Sequence, residues 1–257
     1  MTQKERCIFL IEYLKKEESR LNDIEIPEKI EAQKQLLRAL MNIRPARPIS
    51  EEFLAIQDAY LQEEQNKKGV VFLSELSQIQ AGIYLWKGDI TRLSADAIVN
   101  AANSAMLGCF VPCHGCIDNA IHSAAGIQLR QECFQIMTQQ KKPQPTGEAK
   151  ITKAYNLPCS YILHTVGPII AQSVTQKDCD LLAKCYRSCL ELAVSYQLQS
   201  VAFCCISTGE FHFPSSKAAK IAVQTVHCFL KENQTKLEVV FNVFKDSDYE
   251  IYRQLLE

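Results

Sequence analysis

The stretch "NAANSAMLGCFVPCHGCIDNAIHSAAG", residues 100–126, crowds Cys109, Cys113, His114 and Cys116 into eight residues. Thiolate and imidazole donors together select zinc among the divalent metals available to a protein. Cys109, His114 and Cys116 read as C-x4-H-x-C, and three ligands leave one tetrahedral position for water or substrate. Cys113 as a fourth ligand would close the centre and make it structural. Two residues after Cys116, Asp118 stands in the first turn of a helical stretch, with His122 at i, i+4 on the same face. A carboxylate there is favoured by the helix dipole. Asn103 lies six residues before Cys109, so the Cys/His loop joins an Asn-rich turn to a helix start.

Other polar clusters lie where apolar strand-like runs end: "GDI" (88–90), "NAAN" (100–103), "STGEF" (207–211) and "VFKDSD" (243–248). In α/β folds, ligands bind at the carboxyl ends of strands, where loops meet helix N-termini. Ser207, Thr208 and Gly209 are candidate donors to a phosphate, since a Gly-containing loop ahead of a helix presents free N–H groups and a positive dipole end. Asp89 is a turn or cap residue read alone. The four termini together predict one ligand-binding crest.

The texture of the chain changes near residue 70. Before it, "QKERCIFLIEYLKKEES" spaces Cys7, Leu10, Ile11 and Leu14 at helical period. "PEKIEAQKQLLRALMNI" predicts a second helix opening on Pro27, and "SEEFLAIQDAYLQEEQNKKG" a third from Ser50 to Gly69, with "RPARP" breaking the chain between them. After residue 70, strand and helix patterns alternate, which predicts an α/β sheet with helices on both faces. "VAFCCIS" reads as a buried strand with Cys204 and Cys205 on opposite faces. Ser215 or Ser216 is expected to cap one late helix, and Asp246 or Ser247 the last.

Composition bounds the function. The chain has 257 residues, 47% hydrophobic and 22% charged, with a formal net charge of -1. That balance gives no general electrostatic case for nucleic acid, so an anionic ligand must be held by local dipoles. No apolar run approaches the roughly 20 residues of a membrane span. Glu12 interrupts "CIFLIEYLKK", and its basic flank follows the apolar run, the wrong order for a secretory signal. A cytoplasmic protein is expected, and the cysteines outside 109–116 are expected as free, buried thiols.

"KGDIT…DAIVNAAN", "TGEAKITKAYNLP…YILHTVGP", "ISTGEFHFP" and the terminal "VFKDSDYEIY" resemble the macrodomain family, in order and in register from about Gly82 to the C-terminus. The resemblance implies a three-layer α/β/α macrodomain with a mixed central sheet over residues 71–257, preceded by an all-helical extension over residues 1–70. "LGCFVPCHGCIDNAIHSAAG" replaces the usual glycine-rich loop and is similar to the zinc-containing microbial subgroup, whose members remove mono-ADP-ribose from proteins. That subgroup's pattern implies Cys109, His114 and Cys116 as ligands of Zn2+, without Cys113. It implies Asn103 and Asp118 as catalytic, Asp89 and Ile90 on adenine, and Phe244 stacked against it. Loop residues Ser207, Thr208, Gly209, Glu210 and Phe211 fall on the diphosphate, and Cys116, Ile117 and Asp118 join Asn103 around the distal ribose. Glu210 is read as lining the entrance, and His212, where the family often has Gly, has no assigned role. The implied substrate is a mono-ADP-ribosylated protein, and subgroup association implies a lipoyl-carrier protein modified by a sirtuin-type transferase. The alternative is a reader module that binds ADP-ribose without turnover, its zinc bracing the loop.

Overall fold

The computed structural model describes residues 1–257. Three helices come first: α1 (Gln3–Lys16), α2 (Ile30–Ile43) and α3 (Glu51–Lys68). The helical period of α1 buries Cys7, Leu10, Ile11 and Leu14, as its spacing predicts. α3 starts where the Ser50 side chain accepts the Phe53 N–H and stops at Gly69, whose φ of 80° suits glycine. α2 begins three residues later than Pro27 suggests, because Lys29 is still extended (ψ 129°). Leu10, Ile11, Leu37, Leu40, Phe53 and Tyr60 form a core of their own, to which Ile127 is added from further along the chain.

The rest is built on strands β1 (Val71–Phe72), β2 (Gln78–Gln80), β3 (Ile83–Lys87), β4 (Leu93–Ser94) and β5 (Ala97–Ala101). They are followed by α4 (Ile117–Ala125), α5 (Ile127–Gln140), β6 (Ala149–Lys153), β7 (Tyr161–Thr165) and α6 (Gln176–Ser195). The chain closes with β8 (Ser200–Phe203), α7 (Ser215–Asn233), β9 (Glu238–Val243) and α8 (Asp246–Leu256). β1 and β4 form a small parallel ladder, and the other seven strands form one sheet in the order β2-β3-β9-β8-β5-β7-β6. The five central strands are parallel, and the outer strands β2 and β6 pair antiparallel, which makes the sheet mixed. The inner strands carry near-continuous apolar runs such as the buried "VVFNV" of β9, as expected for a sheet covered on both faces. No helix is long and apolar enough to cross a membrane.

Several local expectations are corrected. β8 ends at Phe203, so Cys204 and Cys205 begin the loop that leaves it; the ladder to β5 covers only Val201 and Ala202, and the chain then turns away. α7 has Pro214 at its cap position and α8 has Lys245. Ser215 and Asp246 are therefore already the first helical residues, and Ser216 and Ser247 lie deeper still; none of the four caps its helix. All twelve cysteines are free, but outside the Cys/His loop Cys228 is exposed and Cys205 half-buried, against the expectation of uniform burial. Cys228 lies on the outer face of α7, whose buried face is lined by Ala222, Val226 and Phe229.

Candidate functional site

The crest follows from strand order. β3, β9, β8 and β5 are consecutive and parallel, so their carboxyl ends share one edge of the sheet. This brings Asp89, Phe244, the 204–213 loop and the Asn-rich turn together, although more than 150 residues separate Asp89 from Phe244. Phe244 is 78% exposed there, free to cover a flat ligand.

The Cys/His loop rises from the end of β5. One donor atom from each of Cys109, His114 and Cys116 lies within 4.8 Å of the others, and Cys109 Sγ is 3.6 Å from His114 Nδ1. Zinc–sulfur and zinc–nitrogen bonds of about 2.3 and 2.05 Å at a tetrahedral angle put sulfur and nitrogen about 3.6 Å apart. The donor set thus fits zinc in chemistry and spacing. Cys116 is also the N-cap of α4, accepting the Asn119 N–H at 3.4 Å. Burial pushes its thiol up to about 11, with that N–H acting the other way, so a cation beside it is what would favour the thiolate. Cys113 is aimed elsewhere: its φ is 53°, and its thiol donates to the Gln35 carbonyl of α2 at 3.3 Å. His114 Nε2 faces Glu210 Oε1 at 3.6 Å, so the residue expected at the entrance meets the Cys/His loop.

Asp118, 4% exposed, lies beneath this loop. Its Oδ2 accepts from Asn103 Nδ2 at 3.3 Å and its Oδ1 from Asn100 Nδ2 at 2.8 Å. Asn103 also donates to the Gly108 carbonyl at 3.1 Å and accepts the Ala105 N–H, which fixes it at the loop's start. Burial pushes the Asp118 carboxyl up to about 6 against the Asn100 hydrogen bond and the Arg130 charge. His122 Nε2 lies 3.5 Å from Asp118 Oδ1 without hydrogen-bond alignment, and burial holds its imidazole well below the usual range, hence neutral.

The 207–213 loop is tightly folded. Ser207 (φ 67°) accepts the Phe213 N–H on its carbonyl at 3.0 Å, and Gly209 accepts that of His212. Thr208 Oγ1 donates to the Cys205 carbonyl, and the Phe211 carbonyl accepts the Ile170 N–H. Gly209 and Glu210 are exposed at the tip, and His212 (φ 57°) points to solvent. Gly167 is required here: a Cβ on it would lie 1.9 Å from Ser207 Oγ. Asp89 spends Oδ1 on Thr91, at 3.0 Å from its N–H and 2.7 Å from its hydroxyl. Its Oδ2 faces Lys68 Nζ at 3.7 Å, at the edge of a recess of ≈ 560 Å³ between α2, α3 and α4. Ile90 is buried behind it, and Ile117 is half-buried at the start of α4.

Sequence reasoning missed the grip of the helical extension on the Cys/His loop. Arg38 donates to the His114 carbonyl at 3.1 Å and to Asn119 Oδ1 at 2.7 Å. Asn42 accepts the Cys113 N–H at 2.9 Å and donates to Ser123 Oγ. Arg130 donates to the Leu107 carbonyl and to three carbonyls at the end of α2, with its guanidinium 4.3 Å above the Phe110 ring. No local signal marked these contacts; "RPARP", whose Arg44 is the C-cap of α2, marked only where that helix ends.

Known proteins of related sequence and structure bear on this arrangement. The Macro domain family profile matches residues 99–222. A protein-ADP-ribose hydrolase of Treponema medium is 54% identical over 260 residues, 100% of both chains. Another from Staphylococcus aureus (strain MSSA476) is 49% identical over 98% of this chain and 96% of its own. The Trypanosoma brucei macrodomain in complex with ADP-ribose superposes with a TM-score of 0.68 at 32% identity, covering 85% of this chain and 95% of that one.

Proposed function

Since this chain belongs to the macrodomain family, we propose that it is a zinc-dependent protein-ADP-ribose hydrolase, removing mono-ADP-ribose from a protein side chain. Relatives of that name at 54% and 49% identity along essentially the whole chain support hydrolysis. One observation carries the finer reading: the Asp118 carboxylate, the Asn103 amide and the Cys109/His114/Cys116 donor set occupy one end of the crest.

In this reading Oδ2 of Asp89, which also faces Lys68, accepts from the adenine amino group, the Ile90 N–H assists, and Phe244 stacks on the base. Loop 207–211 holds the diphosphate with backbone N–H groups. Asn103, Cys116 and Ile117 line the distal ribose. Hydrolysis breaks the bond between the anomeric carbon of that ribose and the side-chain heteroatom. The water oxygen bonds to the carbon, and the water proton passes by way of Asp118 to the departing heteroatom. Cys109, His114 and Cys116 would hold zinc, which when bound would supply Lewis-acid polarisation of an oxygen. Burial of Asp118 excludes competing solvent from one side of the carboxylate.

The test uses a mono-ADP-ribosylated carrier with the metal-loaded chain, reading free ADP-ribose released. A lipoyl-carrier protein modified by a sirtuin-type transferase, implied by the subgroup resemblance, is the first carrier to assay. Turnover is expected, lost in Asp118→Ala and after chelation, while ADP-ribose binding persists in calorimetry. Binding without turnover in every condition overturns the hydrolase in favour of a reader. Turnover indifferent to chelation overturns zinc dependence.

A further inference from the structure

Under Asp118 lies a line of buried polar side chains that the hydrolytic scheme leaves without a task. Asn100 on β5 and His164 on β7 are directly paired in the ladder, and Thr152 on β6 sits diagonally across from His164 on the same face. Asn100 and His164 are 0% exposed and Thr152 is 2%. The contacts run unbroken: Asp118 Oδ1 to Asn100 Nδ2 at 2.8 Å, Asn100 Nδ2 to His164 Nδ1 at 3.2 Å, His164 Nε2 to Thr152 Oγ1 at 2.9 Å. Donor atoms of His122 and Cys133 lie within 4.8 Å of one His164 nitrogen, and His122 makes no hydrogen bond to it.

Proton inventory fixes the direction of each bond. An ionised carboxylate only accepts, so the Asn100 atom facing Asp118 is its amide nitrogen, not its oxygen. The same nitrogen faces His164 Nδ1, which must therefore be bare. Burial alone pulls the His164 imidazole down to about 3, so it is neutral near pH 7 and carries its one proton on Nε2. That N–H points at the Thr152 hydroxyl oxygen. The Asn100 oxygen has no partner of its own, so only Asp118 and His164 hold the amide in this sense.

We propose that Thr152 and His164 are positioning residues for Asp118. The Thr152 hydroxyl accepts the His164 Nε2–H and so satisfies the tautomer whose bare Nδ1 accepts from Asn100, and Asn100 holds Oδ1 of Asp118 so that Oδ2 faces Asn103 and the crest. Without the hydroxyl, the Nε2–H is left buried and unpaired, which destabilises this tautomer; in the other, Nδ1–H meets Asn100 Nδ2, two donors together. The amide then flips and turns its oxygen on the carboxylate, which swings away. This inference rests on the hydrolase reading only for its kinetic consequence.

Thr152→Val preserves shape and removes the oxygen, and Thr152→Ser restores it. In Thr152→Val, kcat is expected to fall about tenfold to a hundredfold, the scale of a misplaced reacting group. KM and the Kd for ADP-ribose should stay within about twofold, as expected when only the reacting geometry is lost. Thr152→Ser should recover most of kcat. In full-length chain labelled with nitrogen-15 histidine, His164 should show the Nε2–H tautomer in the wild type and lose it in Thr152→Val. An unchanged kcat in Thr152→Val, a loss that Ser does not rescue, or an Nδ1–H tautomer in the wild type overturns the proposal. A wild type that releases no ADP-ribose sinks the hydrolase reading instead, and the imidazole spectrum still decides the relay.

Discussion

Replacing Arg130 with Met keeps an unbranched stem and deletes a guanidinium that is 5% exposed. Its Nε donates to the Leu107 carbonyl at 2.6 Å, and its Nη1 to the carbonyls of Met41 at 3.0 Å, Asn42 at 2.8 Å and Arg44. Met41 and Asn42 lie in the last turn of α2 and Arg44 is its C-cap, so the cation satisfies carbonyls that the helix itself leaves orphaned. One amino group carries two protons, so the three α2 contacts amount to two hydrogen bonds, and Nε adds a third. Net values of about 1.5–3 kcal/mol per bond to a charged donor set the upper scale. Desolvating the cation offsets part of this, and burial indeed pulls Arg130 down to about 10. We expect a loss of about 3–5 kcal/mol, or a Tm lower by roughly 6–20 °C for a chain of this size. Lys should recover less than half, because one ammonium cannot fork between Leu107 and α2. Urea unfolding of the full chain at fixed zinc measures it. A loss under about 1 kcal/mol, or full rescue by Lys, refutes the view that this cation joins the helical extension to the Cys/His loop.

Three further outcomes follow from the same geometry. Arg38→Ala removes the donor to the His114 carbonyl, and zinc affinity by competition with a chromophoric chelator should fall about tenfold, the usual effect of an outer-shell partner; an unchanged affinity contradicts the brace. Gly167→Ala drives a methyl into Ser207 Oγ and should weaken ADP-ribose binding about tenfold by calorimetry, with Tm lowered by several degrees from the overpacking; equal binding would mean loop 207–211 does not hold the diphosphate. Glu17 is raised by burial but more strongly lowered by Arg44 and Arg47, leaving its carboxyl below the usual range. A depressed folded-state pKa contributes stability above the unfolded value of about 4.3 and loses it as pH falls through the folded value. The urea midpoint should therefore drop between pH 5.5 and pH 3.5, and drop less in Glu17→Gln; parallel profiles would show that the pair contributes nothing.

Much of the site was legible because its signals are local. Cys109, His114 and Cys116 lie within one loop, and their spacing alone marks a candidate metal site; that Cys113 makes another contact depends on Gln35, 78 residues earlier. The crest was legible because each of its loops directly ends an apolar strand run. Asn100, Thr152 and His164 carried no such mark: each is a single polar residue within a strand, and they become neighbours only when β5, β7 and β6 align. Cap positions failed where a serine or aspartate next to the true cap looked equally suitable, as at Ser215 and Asp246.

By itself the sequence determined most helical and strand segments, the family, the identity of the soft donors and the loops that end the strands, because periodicity, turn chemistry and donor spacing act over a few residues. Tertiary structure alone decided that α2 grips the Cys/His loop through Arg38 and Asn42, that Arg130 caps α2 from another part of the chain, and that Asp118 rests on Asn100 and His164. Those relations join segments tens of residues apart. Hydrogen-bond direction and desolvation act through space, and no local pattern of residues encodes which distant partner will be there.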